Sequence, residues 1–590
     1  MGGAGQGQLR PGDRARQRGQ VRSPARSQAN KPRHSAGVVL LALAIAAFLL
    51  TFLLLPVATV VITAFSNAQG GFTLAHFSAF AEISLMRESF ANSLYVAGMT
   101  VFFATLLAVP LAAITARFEF RGALLIQTLG VLPLIMPAFV GAAAMQLLFG
   151  RSGSVNLLLN SAFGVSLPLM EGLNGVIFVE TLHYFPFILL NLAASLANID
   201  PAMEEAGQNL GSSGWRLFRK IVFPLALPGY IAGASLVFIK VFDDLGTPLV
   251  LNVTNMLAPQ AYLRVTSIGL EDPIGYVICV ILVLFSVAAM GGAWWFVQRG
   301  DFAIQSRGGV SSPRRKLSGK QSLLAYGSIV AVLLLVLSPH LGILLLSLSK
   351  VWSFTVLPEQ FTLLHYATVL EDSTRMIWNT FLYCGLAALL DVVLGTAIAY
   401  LVMRTQLPGR QLLDHMVTVA LAMPGLVLGI GYLRAFKGVE LPWVGPLTAS
   451  WLIFVIAYAV RRLPYALRSC MAAMAQIHPA LEEAAENLGA SRWRTLRRVL
   501  VPLMMGGILA GFVTSFVTAA GEISETILLT SRESLAPMSY GIYLYMQSIS
   551  GRGPGAALGV IAVLLIGLGT WLTHRVVARH ANHDVRGSAP

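Results

Sequence analysis

The feature that most constrains this chain is a succession of apolar runs, each long enough to cross a bilayer. A helix needs about 20 mainly apolar residues, rising 1.5 Å each, to span the hydrocarbon layer. Hydropathy places such runs near residues 37–65, 93–116, 123–149, 175–197, 225–243 and 273–297, then near 323–349, 380–403, 411–436, 447–467, 503–529 and 555–574. The expected fold class is an all-α polytopic membrane protein with about 12 transmembrane helices. Composition agrees: 56% of the 590 residues are hydrophobic and 12% are charged, against about 25% charged in soluble domains. No large soluble domain fits between the runs.

The net charge of +14 would suit a nucleic-acid partner if the basic residues formed one patch, but they fall in alternate loops. Arg117 and Arg121, then Arg216, Arg219 and Lys220, then Arg299 to Lys320 mark one side in the first half. Arg404 and Arg410, then Arg461, Arg462, Arg468 and Arg492 to Arg498, then Arg575, Arg579 and Arg586 continue on that side. The opposite loops hold scattered Arg87, Arg264, Arg375 and Arg532. By the positive-inside rule both termini are cytoplasmic, and nucleic acid is not an expected partner. Residues 1–34 are Arg-rich without apolar periodicity and read as a disordered cytoplasmic tail. The run Gly37 to Phe65 is too long for a signal-peptide core and is expected to remain as the first span. Cys279, Cys384 and Cys470 are widely spaced in apolar sequence, which suggests neither a disulfide framework nor a metal site.

An internal repeat divides the chain in two. Phe72-Thr-Leu-Ala-His-Phe77 recurs as Phe361-Thr-Leu-Leu-His-Tyr366, Asn92-Ser-Leu as Asn379-Thr-Phe, Met136-Pro137 as Met423-Pro424, and the segment Pro201 to Pro224 as Pro479 to Pro502. Each copy holds six spans, so the copies share one orientation. The expected organisation is a tail (1–34), a first domain (35–298), a cytoplasmic linker (299–321), a second domain (322–578) and a cytoplasmic C-terminal tail (579–590).

Between the fourth and fifth spans of each copy the connection is polar and about two dozen residues long. The first reads Glu204-Glu205-Ala206-Gly-Gln-Asn-Leu-Gly211 and runs to Pro224; the second reads Glu482-Glu483-Ala484-Ala-Glu-Asn-Leu-Gly489 and runs to Pro502. Pro201 and Pro479 suit a first helical turn, the Glu pairs suit its positive N-terminal end, and Gly211 and Gly489 can close it in a left-handed conformation. Each copy therefore carries a short polar helix with a small apolar face, a shape that docks into a partner's groove. An amphipathic helix lying on the bilayer is the alternative, but it would not require the same glycine-to-proline spacing twice.

These loops resemble the EAA loop of ABC importer permeases: Glu-Ala-Ala, three residues, Gly, nine residues, Ile, any residue, Leu-Pro. Glu205, Ala206, Gly211, Ile221 and Pro224 match, as do Glu483, Ala484, Ala485, Gly489 and Pro502; Gly207, Phe223, Val499 and Val501 depart from the pattern. The resemblance implies two tandem six-helix permease repeats with the type I importer transmembrane fold in the cell inner membrane. It also implies two copies of a cytoplasmic ABC ATPase and an extracytoplasmic solute-binding protein as partners. By the same resemblance Glu204, Glu205, Ala206, Gly211, Pro224, Glu482, Glu483, Ala484, Gly489 and Pro502 form the ATPase-coupling surface. No ATPase is encoded in the chain: Gly319-Lys320 is followed by Gln321 and lacks the first glycine of a phosphate-binding loop. The protein is expected to be a transport subunit, not an enzyme, with no cofactor.

Ionisable residues inside spans usually face a cavity or a partner. Asp243 and Asp244 end the fifth span, Glu522 and Glu525 sit at the matching level of the eleventh, and counting from Pro224 and Pro502 puts them near the extracytoplasmic mouth as a candidate translocation path. Capping of helix ends is an equally good reading. Glu180, His183 and Asp391 fit either packing or a path, while Gly425, Gly429 and Gly431 suit close helix packing. The fused arrangement resembles the ferric-iron importer branch, which includes permeases for 2-aminoethylphosphonate and thiamine, so the cargo it implies is ferric iron or a small organophosphonate. A rival reading is an ion-coupled secondary transporter with two parallel six-helix halves; it would leave the paired polar loops without a role.

Overall fold

The computed structural model describes residues 36–119, 129–130, 132–299, 315–316, 319–547 and 550–587. The tail expected over 1–34 and most of the linker expected over 299–321 lie outside the described residues. Among the described residues, eight helices are long and apolar enough to cross a membrane: Ala36–Ala64, Ser84–Arg117, Leu173–Ala197, Gly214–Phe242, Pro273–Arg299, Ser322–Leu348, Thr374–Arg404 and Arg552–Gly569. Two further apolar pairs are sharply bent, Arg410–Ala422 with Gly425–Ala435 by 109° and Arg492–Leu503 with Met505–Ala520 by 72°. Trp451–Ala475 and Ala138–Phe149 occupy the places expected for the tenth and third spans; the described residues hold eight to ten helices of spanning length and apolarity, and the ninth span is a broken rod. The final helix runs on to Gly587, so the expected C-terminal tail is helical to that point.

The breaks follow from the repeated Met-Pro. Proline lacks the N–H that would continue a helix and turns its predecessor toward extended geometry. Pro137 (ψ 139°) and Pro424 (ψ 136°) are themselves extended, and a new helix begins immediately after each. Proline also explains the paired π-helical turns Phe218–Val222 and Leu496–Leu500, each directly before the helix that carries Pro224 or Pro502 near its start.

The two halves interlock. The first span packs on Gly425–Ala435 of the second half, and Gly319–Leu348 packs on Ala138–Phe149 of the first. Small residues permit this: a methyl on Gly431 would stand 2.7 Å from the Pro56 carbonyl oxygen, and one on Gly342 would stand 2.8 Å from Leu148. Tyr432 donates a hydrogen bond to the Phe52 carbonyl at 2.7 Å across the same contact. Gly429 likewise meets Leu528 and Gly425 meets Arg461, so all three glycines of this segment serve close packing. Beyond the first span of each half, the repeated Phe-Thr-Leu-x-His segment closes a local loop. His76 bonds the Ser66 carbonyl at 3.0 Å and His365 the Ser349 carbonyl at 2.9 Å, each beside a one-residue bridge to Phe72 or Phe361.

Candidate functional site

The two polar loops fold as the repeat requires. Pro201–Asn209 and Ala480–Asn487 are helices, and Gly211 (φ 81°) and Gly489 (φ 83°) follow them in the left-handed conformation. Asp200 caps the first by accepting from the Ala202 N–H at 2.9 Å; His478 takes that place in the second, accepting from the Ala480 N–H at 3.2 Å.

The adjacent glutamates in each pair face different ways. Glu204 is buried and holds Arg117 in a bidentate ion pair, 2.9 Å from Nη1 to Oε2 with Nη2 closer still on Oε1. Glu482 pairs with Arg404 at 2.5 Å. Arg117 and Arg404 are the final residues of the second and eighth spans. Glu205 and Glu483 instead face outward, as do Ala206 and Ala484. Around them, repeat-equivalent apolar side chains lie open: Met203 and Leu481, Leu210 (87% exposed) and Leu488 (89%), Trp215 and Trp493. Each helix thus has an acidic anchor turned inward and an acidic, apolar surface turned outward.

Gly207, the departure from the second Ala of the pattern, has a structural cause. A methyl there would stand 2.3 Å from Ile221 Cδ1 and 2.9 Å from Leu217 Cδ1. The second copy places Ala485 opposite the smaller Val499 and Thr495. The first copy combines the smaller helix residue with the larger neighbours, and the second does the reverse.

The four acidic residues of the fifth and eleventh spans are enclosed by protein. After Phe242 and Ala520 the chain folds back into the short buried helices Gly246–Val250 and Ser524–Leu529, packed on Ala138–Phe149 and Gly425–Ala435 respectively. The span ends, and the carboxylates on them, therefore lie inside the bundle. Asp244 accepts from the N–H groups of Gly246 and Thr247, both at 3.2 Å, and Glu522 accepts from Ser524 at 3.0 Å and Glu525 at 3.5 Å. The repeat-equivalent carboxylates Asp244 and Glu522 thus cap the two short helices, as the capping reading expects.

Arg461 and Arg462, grouped in the sequence with the cytoplasmic basic residues, are buried in the middle of Trp451–Ala475. They persist there because acids surround them. Arg461 reaches Asp243 of the first half at 3.1 Å, Glu522 at 2.6 Å and Glu525 at 3.6 Å, and Arg462 also pairs with Glu522. Asp243 accepts in addition from the Gly425 N–H at 3.0 Å. The same Oδ2 atom thereby takes two donors from the opposite half. A cavity of about 100 Å³ opens beside this network, lined from both halves by Pro137, His183, Tyr184, Lys240, Asp243, Asp244, Arg461, Glu522 and others. Lys240, Arg461 and Arg462 were missed as site residues; the signal available was that the run 447–467 already contained both arginines.

Among the remaining candidates, Glu180 is fully buried next to Asp244, and His183 lies near His340 of the seventh span. Asp391 is buried beside Ser515, away from the cavity lining. Outside the bundle, the loop residue Glu271 binds Arg434 at 2.7 Å and Lys437 at 3.1 Å, tying the halves once more; the Arg434 hydrogen bond leads in holding its carboxyl below the usual range. Among the described residues no group of three or more His, Cys, Asp or Glu side chains is placed to hold a metal ion.

Residues 108–299 and 391–581 each match the family described as binding-protein-dependent transport system inner membrane component. The putative ferric transport system permease protein FbpB 1 of Haemophilus influenzae is 27% identical over 447 residues, 75% of this chain and 70% of that protein. The ferric transport system permease protein FbpB of Actinobacillus pleuropneumoniae is 26% identical over 484 residues, 81% and 69% of the two chains. A probable ABC transporter permease protein of Sinorhizobium fredii is 27% identical over 555 residues, 90% and 93%. Among solved structures, a bacterial ABC transporter involved in the import of the acidic polysaccharide alginate aligns at 17% identity with a TM-score of 0.37, covering 45% of this chain and 96% of that one.

Proposed function

The chain belongs to the family of binding-protein-dependent transport system inner membrane components, and from that premise we propose that this ABC importer permease carries ferric iron. It is a multi-pass transport subunit with two tandem permease repeats. In this reading the units 35–298 and 322–578 form one pathway, and the linker and both termini face the cytoplasm with the two docking helices. Each helix receives one copy of a separate ATPase through Glu205 or Glu483 and the apolar residues beside it. An extracytoplasmic binding protein delivers the cargo.

The cargo reading is supported by relatives named as ferric permeases and by the small size of the cavity between the halves, whose lining is of mixed charge. Asp243, Asp244 and Glu522, with Lys240 and Arg461 among them, border a space of about 100 Å³, room for several water molecules. Hard cations select oxygen ligands, and a compact ion fits such a space where an organophosphonate requires it to widen. The relatives named as ferric permeases, similar over three quarters or more of this chain, support the same cargo. In the state described, Arg461 and Arg462 occupy the acids, so passage requires the cation to compete with guanidinium groups for them.

The test is uptake of radiolabelled ferric ion by cells lacking the chain, with and without the restored gene, alongside uptake of 2-aminoethylphosphonate, molybdate and sulfate. Ferric uptake should depend on the chain. Normal ferric uptake without it, combined with lost uptake of one of the anions, would reassign the cargo.

A further inference from the structure

The second and eighth spans are held at both ends by repeat-equivalent contacts, and the two ends belong to different parts of the machine. At one end Arg117 binds Glu204 of the first docking helix and Arg404 binds Glu482 of the second. Arg404 also donates to the carbonyls of Met474 at 3.2 Å and Ile477 at 2.7 Å, where the tenth span ends. At the other end, Asn92 donates to the Asn255 carbonyl at 2.9 Å and Ser93 accepts from the Leu257 N–H at 2.9 Å. In the second half Asn379 donates to the carbonyls of Ser534 at 3.1 Å and Ala536 at 3.0 Å, and Thr380 accepts from the Met538 N–H at 2.7 Å. These partners lie in the connections that follow the short buried helices Gly246–Val250 and Ser524–Leu529, the ones capped by Asp244 and Glu522, or open the next helix at Leu257 and Met538.

The spacing is the same in both copies. Asn92 and Arg117 are 25 residues apart within one unbroken helix, and so are Asn379 and Arg404. At 1.5 Å per residue each pair spans about 38 Å. The sequence between them is not conserved in detail between the halves: the first helix contains Pro110 and the second contains no proline. What recurs is a side chain with several donors at each end and the distance between them. A helix that only packed laterally would need neither terminal set.

We infer that each of these helices is a transmission rod, with Arg117 and Arg404 as positioning residues for the docking helices and Asn92 and Asn379 as their counterparts on the loops beyond the cavity. The inference rests on the reading of Pro201–Asn209 and Ala480–Asn487 as ATPase-docking helices. It divides labour within each glutamate pair: Glu205 and Glu483 meet the partner, while Glu204 and Glu482 pass its displacement to the rod. Movement of a docking helix is then delivered to the far loops directly, in addition to the route through the fourth and fifth spans that adjoin the helix in sequence.

The test uses the complete complex of this chain with its ATPase and binding protein in proteoliposomes, reading ATPase retention on purification, stimulation of hydrolysis by the binding protein, and ATP consumed per ferric ion imported. Arg117→Gln with Arg404→Gln should keep the ATPase bound and lower stimulation by about tenfold or more, the range of ordinary coupling between sites. Asn92→Ala with Asn379→Ala should do the same, and all four changes together should add little to either pair, because one broken end already disconnects a rod. Exchanging the charges, Arg117→Glu with Glu204→Arg and Arg404→Glu with Glu482→Arg, should restore part of the stimulation and show that the single losses are not misfolding. Normal stimulation in both pairs, or fully additive losses, would overturn the rods. If the wild-type chain itself fails to retain the ATPase, or retains it undiminished when Glu205→Lys and Glu483→Lys are combined, the docking reading has failed and the rods fall with it.

Discussion

The compensating volumes at Pro201–Asn209 and Ala480–Asn487 yield a cycle whose sign can be worked out. In Gly207→Ala the new methyl lies 2.3 Å from Ile221 Cδ1 and 2.9 Å from Leu217 Cδ1. Both are ends of flexible side chains, so the overpacking cost belongs at the low end of its range, about 1 kcal/mol. Alanine in place of glycine within a helix returns about 1 kcal/mol, and Gly207→Ala alone should be nearly neutral. Ile221→Val alone removes the Cδ1 atom and should cost about 0.5–1.5 kcal/mol. The double variant recreates the Ala485 and Val499 combination of the second half. Its methyl enters the space that Cδ1 vacated, so the tighter of the two overlaps is relieved and only the contact with the flexible end of Leu217 remains, while the helix gain is kept. The double should exceed the sum of the singles by about 1 kcal/mol, inside the range seen for residues in contact.

The assay is thermal unfolding of the purified chain in detergent for wild type, both singles and the double. For units of about 150–250 residues, 1 kcal/mol corresponds to about 2–4 °C. The double should therefore melt above Ile221→Val by that interval. An additive cycle, with the double no more stable than Ile221→Val, would refute the proposed packing trade.

Three further outcomes follow from the geometry. The single variants Glu205→Lys and Glu483→Lys should reach the membrane and transport poorly, since losing a charged partner at a buried contact costs about 2–5 kcal/mol; transport assays with membrane quantification check this, and normal transport would count against it. Asp243→Asn should lower thermal stability by about 3 kcal/mol, the low end for a broken buried pair, because Arg461 keeps Glu522 and Glu525; an unchanged melting point would show that the link between halves contributes nothing. Cysteines placed in the linker 299–321 should resist an impermeant reagent in intact cells and react after permeabilisation, whereas labelling of intact cells would reverse the topology.

Much of this architecture could be read from the residues alone. The two short loop helices were legible because their signals are local: Gly211 and Gly489 demand positive φ, the prolines mark helix starts, and the repeat supplies an independent second reading. The inward turn of Glu204 and Glu482 was not legible, because it depends on Arg117 and Arg404, which charge counting treats only as topology markers. A matched pair of basic residues closing the second span of each copy was the signal available. The network around Arg461 failed for a related reason. The positive-inside rule counts charges without their partners, and Asp243 lies far away in the other half. The enclosure of the carboxylates was not legible because rise per residue gives length along a helix, not where the chain leaves the bundle. Here Asp243 to Leu245 and Gly521 to Ile523 turn back into it.

The repeat also clarifies why the halves are not interchangeable. Leu173–Ala197 and Trp451–Ala475 align residue for residue, so His183 and Tyr184 occupy the positions of Arg461 and Arg462, and Glu180 that of Tyr458. On the next span Asp243 corresponds to Gly521 and Lys240 to Thr518. The first half therefore brings the buried acids Glu180 and Asp243 with Lys240, the second brings Glu525 and the two guanidinium groups, and the link between Asp243 and Arg461 forms only when a first and a second half meet. Two first halves facing each other would bury Asp243 without a guanidinium, at a desolvation cost of several kcal/mol per uncompensated ion. Two second halves would lose the carboxylate that receives both Arg461 and the Gly425 N–H. Joining the halves in one polypeptide guarantees the pairing in which Asp243 meets Arg461, and the interlocked first and seventh spans hold it in that register.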